Sequence, residues 1–356
     1  MNFLKTFLAG VLAFVVGCFL VCYIGMMLLV SMAGLAGSFE KAVSVPDGSI
    51  LEINLDETIT DSPATNPLAE FDFATMTSRH SLPVLKAMGA IEAAAADSRI
   101  RGIYLRLNGA GGIAGSALME ELRGAIADFR QSGKFVVSYN EVYNQGAYYL
   151  ASVADSVYLH PEGGMDWSGL AFNLTFYKGL LDKLDLHAEV FRPTVCKYKS
   201  AVEPYILDRM SDANRLQMQE LVNSIWGTLV RAVSDARGIS PEELNRMADN
   251  LEVVLPEDAL EKGLVDGLLY EDQMNDVFAS YGLEPDAEGH YSFVTLGDYA
   301  AQTGFGAASS LSQPAVAVVY ADGSIVDGEG YELDKIYGNT LACTLAGAVS
   351  YTHLTL

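Results

Sequence analysis

Positive charge is scarce in this chain. Its 356 residues carry 22 lysines and arginines against 45 aspartates and glutamates, a formal net charge of −23. Such a balance lacks the basic footprint that phosphate backbones require, which speaks against nucleic acid as a partner. Cysteine is also sparse, with four in all. Cys18 and Cys22 lie in an apolar leader, and Cys196 and Cys343 are isolated, so a disulfide scaffold is excluded. No CxxC pair and no Cys/His group at zinc spacing occurs, and neither a metal nor a cofactor is expected. The Walker and dinucleotide fingerprints and the GxSxG elbow are missing too. What is abundant is apolar matter: half of the residues are hydrophobic and 10% are aromatic. That is enough apolar surface to offset the entropy of ordering a large core, which rules against disorder.

The apolar residues are concentrated first at the N-terminus. Residues 6–39 carry no charge, a longer run than the roughly 20 residues needed to cross a bilayer core of about 30 Å. A cleavable signal peptide has a shorter apolar centre, about 7–15 residues, ending at small residues; here the run continues past every such point. Residues 1–39 are therefore read as a membrane anchor. Val15-Val16-Gly17-Cys18 has the outline of a lipoprotein cleavage box, but apolar residues follow it where a polar tether belongs. Lys5 and the terminal amine favour the cytoplasmic side for the N-terminus, with Lys41 opposing. The bulk of the chain is accordingly expected outside the cytoplasm.

The remainder is two ordinary domains' worth of chain. Residues 43–61 alternate as a strand after a turn at Asp47-Gly48, and a helix is expected over 82–96. A strand over 100–107 ends at the turn-forming run Asn108-Gly109-Ala110-Gly111-Gly112. Leu118, Leu122, Ile126 and Phe129 recur at helical spacing, and Gly133 stops that helix before a strand at 135–139. Strand, helix and strand at short intervals imply a parallel α/β arrangement. A short helix at 148–151 and strands at 156–159 and 188–191 follow. Residues 211–270 read as mostly helical, with Leu216, Leu221, Ile225, Leu229 and Val233 on one face. Ser240-Pro241-Glu242-Glu243 has the pattern of a capped helix start with Glu243 closing a capping box.

Residues 301–313, rich in Gly, Ala and Ser and uncharged, read as a linker between a first domain, 40–300, and a further segment, 314–349. That segment resembles a restart of the first. At an offset of 266, Asp56, Ile59 and Asp61 fall on Asp322, Ile325 and Asp327, and Ile50 and Ile53 on Val316 and Val319. A helix is expected from 340 to 348. Residues 350–356 do not continue its pattern and are read as a foreign tail.

The most unusual string is Lys197-Tyr198-Lys199-Ser200-Ala201-Val202-Glu203-Pro204-Tyr205, a lysine-rich turn in a lysine-poor chain. A lysine acts as general base once burial or a nearby cation lowers its pKa from about 10.4 toward about 7–8, a differential of around 4 kcal/mol. Lys197 could supply part of that repulsion, and a solvated surface lysine is the plain alternative. Ser200 and Cys196 are too close in sequence to Lys199 for the base to reach them. His80, His160, His187, His290 and His353 have no recognisable Ser or Cys partner spacing. Asp56, Glu57 and Asp61 read as solvated charges at a strand end, and Gly109–Gly112 as a tight turn with backbone open to an extended peptide.

Lys199 within Tyr-Lys-Ser-Ala-Val-Glu-Pro resembles the lysine motif of the long-form signal peptide peptidase A family, serine peptidases of the S49 type. The resemblance extends to the anchor, to Arg99-Ile100-Arg101-Gly102-Ile103-Tyr104-Leu105, to Gln145-Gly146-Ala147-Tyr148-Tyr149-Leu150-Ala151-Ser152 and to the restart at Pro314. Ala259-Leu260-Glu261-Lys262-Gly263-Leu264-Val265-Asp266 further resembles a stretch of the wider Clp-protease and crotonase superfamily. The resemblance implies an α/β spiral of the Clp-protease/crotonase kind in two tandem copies, preceded by one transmembrane helix. The catalytic lysine, Lys199, would lie on the first copy and a serine nucleophile on the second. Gln145 occupies the place of that serine in the first copy, so the nucleophile is expected near position 411, about one repeat further on, and the chain as given is expected to be inactive alone. The resemblance also implies remnant signal peptides as substrates, a single-pass protein of the bacterial inner membrane, and a homo-oligomer. Two other readings stand beside it: a membrane-tethered, non-catalytic scaffold on a Clp-like fold, and a crotonase-like acyl-CoA enzyme, which the anchor and the restart disfavour.

Overall fold

In a computed structural model of the chain the described residues are 2–38, 44–55, 58–62, 71–72, 77–78, 81–107, 115–193, 195–303, 318–330 and 335–350. They fall into two compact units, Met1–Ser44 and Val45–Leu356. The first unit is one helix, α1 (Asn2–Ser38). Its stretch Lys5–Met27 is long and apolar enough to span a membrane. Large apolar side chains project from several sides, Phe14, Phe19 and Val21 among them. A helix with no polar face has no use for water on any side, which matches a lipid environment better than a protein core.

The second unit opens with the turn Asp47–Gly48, where Gly48 takes a positive φ of 88°. Strand β1 (Ser49–Ile53) follows, then β2 (Thr58–Thr60), a small antiparallel pair β3 (Phe71–Asp72) and β4 (Thr77–Ser78), and β5 (Ser81–Pro83), which pairs in parallel with β2. β5 runs directly into α2 (Val84–Ala96). The alternating core then proceeds through β6 (Ile100–Leu105), α3 (Ser116–Arg130), β7 (Phe135–Tyr143), α4 (Gln145–Ala151) and β8 (Ser156–Met165). A long irregular excursion contains two short helices, α5 (Lys178–Lys183) and α6 (Glu203–Ile206). Three helices come next, α7 (Asp212–Arg237), α8 (Pro241–Asp249) and α9 (Pro256–Glu261). Then come β9 (Gly267–Leu268), α10 (Met274–Ser280), β10 (Phe293–Thr295) and α11 (Leu296–Gln302). The last described elements are β11 (Ser324–Val326), β12 (Lys335–Tyr337) and α12 (Gly338–Ser350).

Six strands form one parallel sheet in the order β10-β1-β6-β7-β8-β9. Ile50, Tyr104, Phe135, Val137 and Tyr139 pack with Met274, Phe278 and Leu283 in one cluster. The alternate residues Leu51, Ile53, Ile103, Leu105 and Val136 are buried as well, so both faces of the sheet are covered. That is the reason these strands read as nearly continuous apolar runs. Each such side chain contributes about 1.5–3 kcal/mol on burial. On α3 the buried residues are Leu118, Leu122, Arg123, Ile126 and Phe129, the stripe expected from their spacing together with one arginine.

Several expectations need correction. Residues 188–191 form no strand; they are coil, and Phe191 is 93% exposed. On α7 only Leu229 and Val233 of the five expected face residues are buried, while Leu216, Leu221 and Ile225 are exposed. Ser240 does cap α8, its hydroxyl accepting from Glu243 N at 3.2 Å, but the Glu243 carboxylate turns to Arg246 instead of closing a box. The strand expected at 135–139 extends to Tyr143, and the helix expected at 148–151 begins at Gln145. The glycine run 108–112, Asp56, Glu57, His80, His353, residues 304–317 and the tail beyond Ser350 lie outside the described residues.

Candidate active site

The lysine motif sits in the excursion between β8 and α7. Successive turns shape it: Lys199 N donates to Cys196 O at 2.9 Å and Glu203 N to Ser200 O at 2.9 Å. Tyr205 N then donates to Val202 O and Leu207 N to Glu203 O. Lys199 is exposed, and Cys196 and Ser200 are half-buried. Among the described residues no hydrogen bond or ion pair engages the Lys199 side chain. The Lys197 ammonium lies 5.2 Å from the centre of the Tyr198 ring. Phe191 and Val195 are each 93% exposed, and Tyr198 and Tyr205 about half so. The arm that carries the lysine is therefore rich in uncovered apolar surface.

The arm is fastened on its carboxyl side. Glu203 is only 5% exposed. Its Oε1 accepts from Ser211 Oγ at 2.6 Å, and its Oε2 accepts from Ser211 N at 3.1 Å and from Asn214 Nδ2 at 2.9 Å. Burial by itself would raise this carboxyl. The Ser211 hydroxyl and N–H, the Asn214 amide and the charge of Arg192 outweigh it and hold the group below its ordinary value. Ser211 is at once the N-cap of α7, accepting from Asn214 N, so the carboxylate rests on the amino end of a 26-residue helix. A second tie joins Tyr177 N to Pro204 O at 2.7 Å, with the Tyr177 and Tyr205 rings stacked 5.8 Å apart.

The second part of the expected site is the junction of β7 and α4. Asn144 caps α4, its Oδ1 accepting from Ala147 N at 2.8 Å. Gln145 is wholly engaged: its Nε2 donates to Gly169 O at 2.9 Å and its Oε1 accepts from Gly169 N at 3.0 Å. The side chain at this position is thus a structural clasp on the chain leaving β8. The ladder between β6 and β7 ends at Leu105 and Ser138. Beyond it Leu107 N is taken up by the Asn140 side-chain oxygen at 2.7 Å, while the buried Asn140 Nδ2 has no partner among the described residues. Beyond the ladder the Asn140 side chain thus takes over the pairing of the two strands at their carboxyl ends.

The histidines take other roles. His160 meets the Tyr270 ring edge-on at 5.1 Å and accepts from Glu162 N. His187 and His290 are exposed beside Asp185 and Glu288. The four cysteines are free thiols. Sequence reasoning passed over Glu203, Asn140 and Arg123. Glu203 stood within the quoted motif, and its place before a proline near Lys199 was the available signal. Arg123 had none, since its partners, the Tyr149 and Ala232 carbonyls and the Ser152 hydroxyl, lie on other helices or at their ends.

Residues 128–281, which include Lys199 and Gln145, match Peptidase family S49. Protease 4 of Salmonella typhi is 33% identical over 305 residues, 82% of this chain and 48% of that protein. Protease 4 of Haemophilus influenzae is 28% identical over 336 residues, 90% of this chain and 53% of that protein. The chloroplastic serine protease SPPA of Arabidopsis thaliana is 30% identical over 181 residues, 51% of this chain and 26% of that protein. The chain spans about half the length of the two bacterial relatives. Among solved structures, an enoyl-CoA hydratase/isomerase family protein from Hyphomonas neptunium aligns with 56% of this chain and 63% of its own. At 14% identity and a TM-score of 0.31, that likeness carries no argument.

Proposed function

The chain belongs to peptidase family S49, and on that footing we propose that it is the base-bearing part of a membrane-anchored serine endopeptidase, with Lys199 as the general base. In this reading Lys199 Nζ takes the proton from a serine hydroxyl as that oxygen attacks a peptide carbonyl. The amine product leaves with a proton, and water then resolves the acyl-enzyme. The serine belongs to a second copy of a Clp-protease/crotonase-like spiral, near about position 411 by the repeat offset. Residues 1–356 are inactive alone.

The observation that carries this reading is the pairing of an exposed lysine on a fastened arm with a fully engaged Gln145. The first offers a base to a surface yet to be covered, and the second offers no nucleophile. A repeated unit supports the second copy. In β2–β5–α2 a three-residue strand pairs in parallel with another that runs straight into a 13-residue helix. In β11–β12–α12 the same arrangement recurs with the same lengths; β11 follows β2 at the offset of 266 residues found in the sequence, while β12 and α12 follow β5 and α2 at 254, a shorter connection. The uncovered apolar residues of the lysine arm suit a lobe that closes over it and supplies the desolvation a lysine base needs. The spanning length of α1 supports a membrane anchor; that the membrane is the bacterial inner membrane, crossed once with the bulk of the chain outside the cytoplasm, is part of the same proposal. Remnant signal peptides as substrates and a homo-oligomeric assembly complete the proposal. The scaffold alternative predicts no hydrolysis in any form of the protein.

The test is Lys199→Met in the full-length gene product, assayed with a fluorogenic peptide. Loss of about 10³-fold or more in kcat is expected from removing one member of a dyad. Hydrolysis at the unsubstituted rate would overturn the assignment.

A further inference from the structure

We propose that Glu203 is a positioning residue that sets the reach of Lys199 by locking the lysine arm to the amino end of α7. The inference rests on Lys199 being the base, and it adds a residue whose carboxylate acts only through that base.

Three observations carry it. First, the Glu203 carboxylate is buried and, among the described residues, its hydrogen bonds all come from the amino end of α7: Ser211 N, Ser211 Oγ and Asn214 Nδ2, at 3.1, 2.6 and 2.9 Å. Asn214, its amide donor, is itself 1% exposed. A buried carboxylate met by three donors is held in one place, because each displacement leaves a donor or an acceptor unpaired in a dry site. Second, the path from this anchor back to the lysine is short and stiff. Glu203 N bonds Ser200 O, and Lys199 N bonds Cys196 O, so two consecutive turns connect the fixed carboxylate to the base. Third, the described residues on the other side of the lysine are loose in packing: Val195 and Phe191 are almost wholly exposed. The anchor at Glu203, with the neighbouring Tyr177 N to Pro204 O bond, is therefore what decides where the lysine arm stands against α7.

A base must come within hydrogen-bond reach of the hydroxyl it deprotonates, and a misplacement of about 1 Å can cost about 10²-fold in rate. Removing the carboxylate frees Ser211 and Asn214 and lets the turn shift, whereas glutamine keeps the shape. The Oε1 of glutamine can accept from Ser211 N and Asn214 Nδ2 while the Ser211 hydroxyl rotates to accept from the new amide.

The experiment compares Glu203→Ala, Glu203→Gln, Ser211→Ala and Lys199→Met in the full-length gene product, with kcat and KM for a fluorogenic peptide measured separately. The expected result is a fall of about 10²-fold in kcat for Glu203→Ala with KM within about twofold, and recovery to within about tenfold of the parent in Glu203→Gln. Ser211→Ala, which removes the Oε1 contact and the cap on Asn214 N but leaves both Oε2 contacts, should fall between the two. A Glu203→Ala enzyme with parental kcat, a loss confined to KM, or a glutamine variant no better than alanine would each overturn the inference. Lys199→Met separates the two levels. If it is inactive while Glu203→Ala is unimpaired, only the positioning role fails; if it retains hydrolysis, the base assignment fails and this inference with it.

Discussion

Gly163 offers a sharp test of how β7 and β8, the strands on either side of α4 in the chain, pair with each other. The β7–β8 register shifts between Asn140 and Val142, and the bulge pushes the Glu141 carbonyl toward Gly163. A Cβ on Gly163 would overlap the Glu141 carbonyl oxygen, with the Glu141 carbonyl carbon and the His160 carbonyl oxygen each at 3.0 Å. All three neighbours are backbone, so no side chain can swing away and the strands themselves must part. Beyond the bulge the pairs Val142–Gly164 and Tyr143–Met165 and the bond from Asp166 N to Tyr143 O at 2.8 Å hold the two strands together. Losing two or three such bonds at about 1 kcal/mol each, with some strain added, places Gly163→Ala at about 2–4 kcal/mol of destabilisation. At the neighbouring Gly164 nothing lies within 4 Å of the place a Cβ would take, so Gly164→Ala should be neutral or slightly stabilising through the unfolded chain. Trp167, 1% exposed and 5.1 Å from the Trp226 ring, reports on this strand end by fluorescence. Urea denaturation of the full chain in detergent micelles, followed at the tryptophans, measures both variants. Equal midpoints for the two alanine variants would refute the argument that backbone contact at the bulge requires glycine.

Other expectations follow from buried or paired charges. Arg123 is 9% exposed and binds the Tyr149 and Ala232 carbonyls and the Ser152 hydroxyl, with its guanidinium 4.9 Å from the Tyr149 ring. Arg123→Met should cost about 1.5–3 kcal/mol in denaturant unfolding, because it removes a buried charged donor shared by three acceptors on or beside α4 and α7. Asp97 is held well below the usual carboxylate range, chiefly by the Arg99 guanidinium, with Tyr299 OH donating at 3.0 Å. A lowered native pKa makes this stabilisation present above about pH 4 and progressively lost as the pH falls below it. Asp97→Asn should therefore lower the thermal midpoint at pH 7, and the gap from the parent should narrow between pH 4 and pH 2. A gap that stays constant over that range would show that ionisation of Asp97 is not its source.

The sequence by itself determined the features whose causes are local. A charge-free run long enough for a bilayer fits α1 whatever surrounds it. The stripe Leu118, Leu122, Ile126 and Phe129 fits α3, and Ser240 before Pro241 fits the start of α8, because helical periodicity and capping act over a few residues. Lys199 stood out by composition and motif, and its part as the base is a proposal. Tertiary structure decided what depended on distant partners. Residues 188–191 have strand-like composition but remain exposed coil, since a strand forms only where another strand offers its ladder. Leu216, Leu221 and Ile225 of α7 stay about half exposed because the described residues cover them only in part, although their spacing matches that of Leu229 and Val233. Gln145 became a clasp through Gly169, 24 residues away, and Glu203 an anchor through Ser211 and Asn214. A hydrogen bond between residues far apart in the chain leaves no periodic trace in sequence, so these roles are visible only once the fold has brought donor and acceptor together.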